Sequence, residues 1–219
     1  MWTGRSRHRH LEILRIPLGE VRRAAKVLDA SVNDVFMTGL INGAAAHHEA
    51  RDQPAEAFNT SFVVSTRTDS AEGGNSFTPV RVRVPAGPMA PVERLRAVQE
   101  RVKQQRSAVH GGGLMGGLAG VVNLLPTSLT TSTARAQASK IDFATTNVRS
   151  TSSQLWVAGH RMTEVFAPGP VAGSAMIASV VSYLDTMHIT LTVDPAAVTE
   201  PGPLRADVEQ AFAELLGSI

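Results

Sequence analysis

The chain contains no cysteine, so it can form no disulfide, offer no thiol nucleophile and hold no metal through thiolates, and its redox compartment stays undetermined. It has no run of the ~18 to 20 apolar residues that a membrane-spanning helix needs. Its opening, M-W-T-G-R-S-R-H-R-H, lacks the apolar core of a signal peptide. The expectation is a cytoplasmic protein. Excess charge of one sign is scarce too: the formal net charge is +2 and charged residues make up 18%. Although the pI is 9.5, basic residues are mostly scattered singly among Asp and Glu, which argues against a nucleic-acid partner. Arg5, Arg7 and Arg9 could touch anionic lipid or phosphate at a membrane or lipid-body surface, or could line a solvated strand entrance. The seven histidines are Arg-flanked, tandem or isolated, and none has metal-ligand spacing, so no metal is expected. Internal repeats and low-complexity tracts are absent.

What is present is 219 residues, 43% of them hydrophobic, enough to bury a core without staples. The chain is organised around residues 31–49, S-V-N-D-V-F-M-T-G-L-I-N-G-A-A-A-H-H-E. Ser31 with Asp34 three positions on is a capping-box start, since both side chains can accept from first-turn N–H groups. Val32, Val35, Phe36, Gly39, Leu40, Gly43, Ala44 and His47 then share one helical face, and Met37, Ile41 and Ala45 lie opposite, so the helix should be buried. Gly39 and Gly43 each cost about 1 kcal/mol of helix propensity relative to Ala, which makes sense where a neighbouring backbone packs closely. Asn33 is polar in the first turn without a capping need, and is expected to bond another element.

Before this helix, residues 8–17 read as a strand and 18–28 as an amphipathic helix with Leu18, Val21, Ala24, Ala25 and Leu28 inward. After it, 57–66 is a β-branched strand, 69–76 a turn-rich loop, and 77–85 a strand with Val80, Val82 and Val84 set against Arg81 and Arg83. Residues 91–109 form a solvated amphipathic helix, with Leu95, Val98 and Val102 inward and Arg94, Arg96, Glu100, Arg101, Lys103 and Arg106 outward. The run G-G-G-L-M-G-G-L-A-G at 111–120 lacks the Lys-Ser/Thr end of a phosphate loop and reads as a joint into an apolar helix, 114–125, with a further short helix at 128–139. Strands are expected at 142–148, 155–159 and 162–166, a hairpin at 176–183 and 187–193 turning through Leu184-Asp185-Thr186, and a closing helix at 204–216.

The string L-x-x-V-R-R-A-A-K-V-L-D-A-S-V-N-D-V-F closely resembles the C-terminal half of bacterial wax ester synthase/diacylglycerol acyltransferases, whose N-D-V motif opens a helix. Val63-Val64-Ser65-Thr66-Arg67 is similar to that family's V-P-V-S-x-R strand without its proline. Gly74-Asn75-Ser76-Phe77 is similar to its next strand entry. Thr146-Asn147-Val148 followed by Leu155-Trp156-Val157-Ala158-Gly159 resembles S-N-V-P-G-P … P-L-Y-L-A-G, with Arg149-Ser150-Thr151 in place of P-G-P. The ordered matches run over nearly the whole chain.

The resemblance implies a single domain over 1–219 of α/β (α+β sandwich) class, a mixed sheet with helices packed on it: one half of the chloramphenicol acetyltransferase-like fold. In that fold two halves meet along a tunnel, and the N-terminal half supplies the general-base histidine of H-H-x-x-x-D-G. His47, His48 and Asp52 match H-H-x-x-x-D, but on a helix tail and ending in Gln53, where interaction with the helix dipole suffices to explain them. By resemblance Asn33 and Asp34 would hold the tunnel side of the site, and Ser65, Arg67, Thr146 and Asn147 would order the interface. The implied activity is O-acyl transfer from acyl-CoA, the donor substrate, to diacylglycerol or a long-chain alcohol, with no permanently bound cofactor. The implied partner is a separate N-terminal half, or a second copy of this chain. The alternatives are a non-catalytic lipid- or partner-binding scaffold and a stand-alone enzyme using His47 and His48.

Overall fold

The computed structural model describes residues 2–65, 77–110, 138–149, 151–171 and 173–219. Arg67, the 69–76 loop, the 111–120 joint, the 114–125 helix and nearly all of the 128–139 helix lie outside the described residues. The strands are β1 (His10–Pro17), β2 (Ala57–Ser65), β3 (Phe77–Pro85), β4 (Phe143–Arg149), β5 (Trp156–Val157), β6 (His160–Arg161), β7 (Met176–Tyr183) and β8 (Thr186–Val193). The helices are α1 (Leu18–Val27), α2 (Val32–Glu49), α3 (Pro91–His110) and, last, α4 (Pro201–Gly217).

Six strands form one sheet in the order β1-β8-β7-β4-β2-β3, and β5 pairs with β6 alone. The sheet is mixed: β4 runs parallel to both β2 and β7, and the remaining pairs are antiparallel. Cross-strand partners share a face. Leu14 opposite Ile189, Val180 opposite Ile189 and Phe58 opposite Val84 therefore put one row of apolar side chains on the side where the helices bury theirs. The opposite side carries Ile13, Thr190, Ser179, Thr146 and Ser61, and it is crossed by the irregular segment after β6. Gly169 lies so near it that an added Cβ would stand 2.8 Å from Ile177 Cδ1.

α2 is the central helix, packed on α4, α3 and α1. Its start is the capping box expected: Ser31 Oγ accepts from the Asp34 N–H at 3.1 Å, and Asp34 Oδ2 accepts from the Ser31 N–H at 2.8 Å. The two glycines are where α4 comes closest. A Cβ on Gly43 would meet Val208 Cα at 2.4 Å, and one on Gly39 would meet the Phe212 ring at 2.6 Å.

Two expectations need correction. Arg94 does not face water; it is 4% exposed. It stands one turn before Val98 and two before Val102, so it belongs to the buried stripe, where its Nη2 donates to the Gly87 carbonyl at 2.6 Å. Residues 162–166 are not a strand. The Met162 carbonyl accepts from the Tyr183 hydroxyl at 3.0 Å, a side-chain bond in place of a ladder bond. Glu164 is held by the Arg15 guanidinium, and Pro168 and Pro170 have no N–H to give a neighbouring strand.

Candidate functional site

The largest described cavity, about 600 Å³, opens beside the start of α2. It is lined by Arg22 and Leu18 of α1, Ser31, Val32 and Asn33 at the α2 entry, Arg106 of α3, Asn147 of β4, Thr151 and Ser152, and Ser182 and Leu184 at the β7–β8 turn. The capping box fixes the first turn of α2, and that is what aims Asn33 at β4. Asn147 Nδ2 lies 3.5 Å from Asn33 Oδ1, a long contact, and Asn33 Nδ2 donates to Met37 Sδ at 3.4 Å. A pair of amides has four N–H donors and two carbonyl oxygens, more capacity than these two weak contacts use. The expectation that Asn33 bonds another element is met, and the element is β4.

Strand alternation separates the two β4 residues that the sequence groups together. Asn147 is paired with Val180 on the helix side, whereas Thr146 is paired with Ser179 on the opposite face, away from the cavity. Asp34 is spent on the capping box, accepting from both the N–H and the hydroxyl of Ser31. Ser65 ends β2 in register with Phe77; Arg67 lies outside the described residues. Arg22 and Arg106 bring positive charge to the cavity wall, and the Arg106 guanidinium also stands 5.8 Å from the centre of the Phe62 ring.

His47 and His48 are elsewhere, in the interior near the end of α2. They are 3% and 2% exposed. His47 Nδ1 is 2.8 Å from Asp207 Oδ2, tying α2 to α4. His48 packs between Trp2, with ring centroids 4.8 Å apart, and Phe58, at 5.6 Å. Burial lowers both imidazole pKa values, His48 to about 4. Asp52 is exposed in the turn that follows, at a left-handed φ of 53°. None of the three lines the Asn33 cavity.

Sequence reasoning missed Arg22, Thr151, Ser152 and Ser182 as cavity-lining residues. They come from separate segments with no shared motif, and only the departure at 149–151 from the family's turn drew attention to that stretch. Among the described residues no group of three or more His, Cys, Asp or Glu could hold a metal ion. No helix there is long and apolar enough to cross a membrane.

Residues 73–216 match the family model described as the WS/DGAT C-terminal domain. The probable diacylglycerol O-acyltransferase Tgs4 of Mycobacterium tuberculosis is 30% identical over 223 residues, covering 97% of this chain and 46% of that protein. The chain thus spans about half the length of this relative. Among solved structures, the wax ester synthase/diacylglycerol acyltransferase from Marinobacter aquaeolei VT8 superposes with a TM-score of 0.73 at 14% identity, covering 97% of this chain and 50% of that one. A condensation domain of the enacyloxin polyketide synthase superposes with a TM-score of 0.61 at 13% identity, covering 99% of this chain and 41% of that one. The fold is that of condensation-type acyltransferase domains.

Proposed function

Because the chain belongs to the WS/DGAT C-terminal domain family, we propose that it is the second half of an O-acyltransferase that moves an acyl group from acyl-CoA to diacylglycerol or a long-chain alcohol. A separate N-terminal half supplies H-H-x-x-x-D-G. In that reaction the partner's neutral imidazole takes the proton of the alcohol as its oxygen attacks the thioester carbonyl. The C–S bond then breaks, and the thiolate of CoA leaves and takes up the proton. This chain's part is to hold the reactants. Asn33 and Asn147 present amide donors and acceptors to them, and Arg22 and Arg106 offer positive charge to an anionic donor.

The observation that carries this reading is the meeting of Asn33 and Asn147, from the two segments most similar to the family's motifs, on one cavity wall. The burial of His47 and His48 away from that wall favours a base from outside the chain.

The test is co-expression with a half carrying H-H-x-x-x-D-G and an acyl-transfer assay with radiolabelled acyl-CoA. Asn33→Ala is expected to lower the activity of the complex about ten- to a hundredfold, the scale of a misplaced substrate, with a stability loss below about 1 kcal/mol. Equal losses in both would make Asn33 merely structural. Turnover by this chain alone, abolished by His48→Ala, would establish the stand-alone enzyme instead. Lipid binding with no turnover in the complex would favour the scaffold.

A further inference from the structure

A second cavity, of about 240 Å³, opens between α2, α3, α4 and the connections around residues 54–55 and 86–91. It lies on the far side of Asn42, which is ~14 Å along α2 from Asn33 at 1.5 Å per residue. Arg94 and Asn42 line it, with Glu49 and Glu214 and a wall of small apolar side chains that includes Ala45 and Met89. Arg94 is 4% exposed. One of its nitrogens is used by the Gly87 carbonyl. Its Nε and Nη1, and Asn42 Nδ2, are buried without a hydrogen-bond partner. Among the described residues Arg94 makes no ion pair; Glu49 acts on it only through space.

A guanidinium stays charged in a protein and has no acceptor capacity, so its unused N–H groups call for an oxygen from elsewhere. Three such donors, from α3 and α2, line one hollow. We infer that this cavity binds a small monocarboxylate, whose oxygens take the N–H groups of Arg94 and the amide of Asn42.

The class of ligand follows from the walls. A planar guanidinium matches a carboxylate's two oxygens. Glu49 and Glu214 on the same cavity disfavour a doubly charged phosphate, which would carry twice the charge into their field. The apolar side chains suit a short alkyl body. At ~30 Å³ of liquid per water the volume corresponds to roughly eight waters, enough for a chain of about four carbons. The site shares no residue with the Asn33 cavity, so it stands apart from acyl transfer.

Sodium butyrate titrated at constant ionic strength into the ¹⁵N-labelled full chain, followed at the Arg94 Nε–Hε signal, tests it. The signal is expected to move and to saturate. Arg94→Lys, which keeps the charge and loses the fork, is expected to weaken binding at least tenfold, read from backbone amides around the cavity. Asn42→Ala should weaken it several-fold with an unchanged Tm, and this keeps the proposal testable should the Arg94 variant unfold. An equal response to phosphate would overturn the carboxylate assignment. No saturable response through tens of millimolar butyrate, or binding indifferent to Asn42→Ala, would overturn the site as described.

Discussion

His48 sits 2% exposed between Trp2 and Phe58, and burial, with the nearby charges of His47 and Arg51 adding in the same direction, brings its pKa from 6.5 to about 4. The folded pKa lies below the unfolded one, so as pH falls the unfolded chain takes up the proton first. The stability contributed by neutral His48 is fully present above pH 6.5 and is lost between 6.5 and about 4. At 1.36 kcal/mol per pKa unit the loss is up to about 3 kcal/mol. His47 is shifted the same way by its burial, against the opposing hydrogen bond of Asp207. Urea unfolding at a series of pH values should therefore show stability falling below pH 6.5. His48→Phe, which keeps a ring between the two aromatics, should flatten much of that fall while changing stability at pH 7 by less than about 1.5 kcal/mol. If the variant loses stability on acidification as the parent does, the dependence belongs to other groups. The other residue-scale expectation concerns Asn33 and Asn147. If the pair acts as a unit, the double Ala variant in the assembled enzyme should lose little more activity than either single variant, as measured by a double-mutant cycle in kcat/KM. Additive losses would mean two independent contacts.

The contact between α2 and α4 is limited by the glycines. Gly43→Ala would place a methyl 2.4 Å from Val208 Cα, which is backbone and cannot rotate away, so the helices must separate. The expected cost is about 1 to 3 kcal/mol in urea unfolding, typical of overpacking. Gly19, on α1, has nothing within 4 Å of an added Cβ, and Gly19→Ala is expected to stabilise by roughly 0.5 to 1 kcal/mol. The same sign for both would show that propensity, not contact, decides. These glycines also mark what local sequence makes legible. The Ser31–Asp34 box, the Gly39 and Gly43 pair and the turn at Leu184-Asp185 each write their structure within a few residues, and α2 and the β7–β8 hairpin formed as expected. The path of 162–170 did not, because its partners are distant: Tyr183 is 21 positions from Met162, and Arg15 is 149 from Glu164. The cavity was half legible for a related reason. Asn33 was conspicuous as a polar residue without a local task. Which of Thr146 and Asn147 faces it depends on the pairing of β4 with β7, and the burial of Arg94 depends on the loop that brings Gly87 over it.

At the scale of the molecule the largest apolar exposure is on the β5–β6 hairpin, where Trp156 is 63% and Val157 is 60% exposed. The hairpin turns through Ala158 and Gly159, both at positive φ, and its two ends are tied by the Tyr183 hydroxyl, which accepts from the Leu155 N–H at 3.0 Å and donates to the Met162 carbonyl at 3.0 Å. It rises just beyond Thr151 and Ser152 on the wall of the Asn33 cavity. An anchored, aromatic-tipped arm beside a site, in a chain that spans about half the length of its relative, suits contact with the half that would bring the histidine. Such a contact would remove about 2 to 3 kcal/mol worth of apolar surface from water for the tryptophan. Trp156→Ser is thus expected to weaken the complex with that half by roughly thirty- to a hundredfold, at 1.4 kcal/mol per tenfold, while leaving the Tm of the isolated chain unchanged because the side chain touches little of it. Tyr183→Phe keeps the buried ring and frees the hairpin ends, so it should weaken the complex through loss of preorganisation and by less than Trp156→Ser. Sedimentation equilibrium of the mixed halves reads both effects. Undiminished association in Trp156→Ser would move the interface off this hairpin and onto the exposed sheet face around Val63 and Val148, where Val148→Asp would then be the variant that separates the halves.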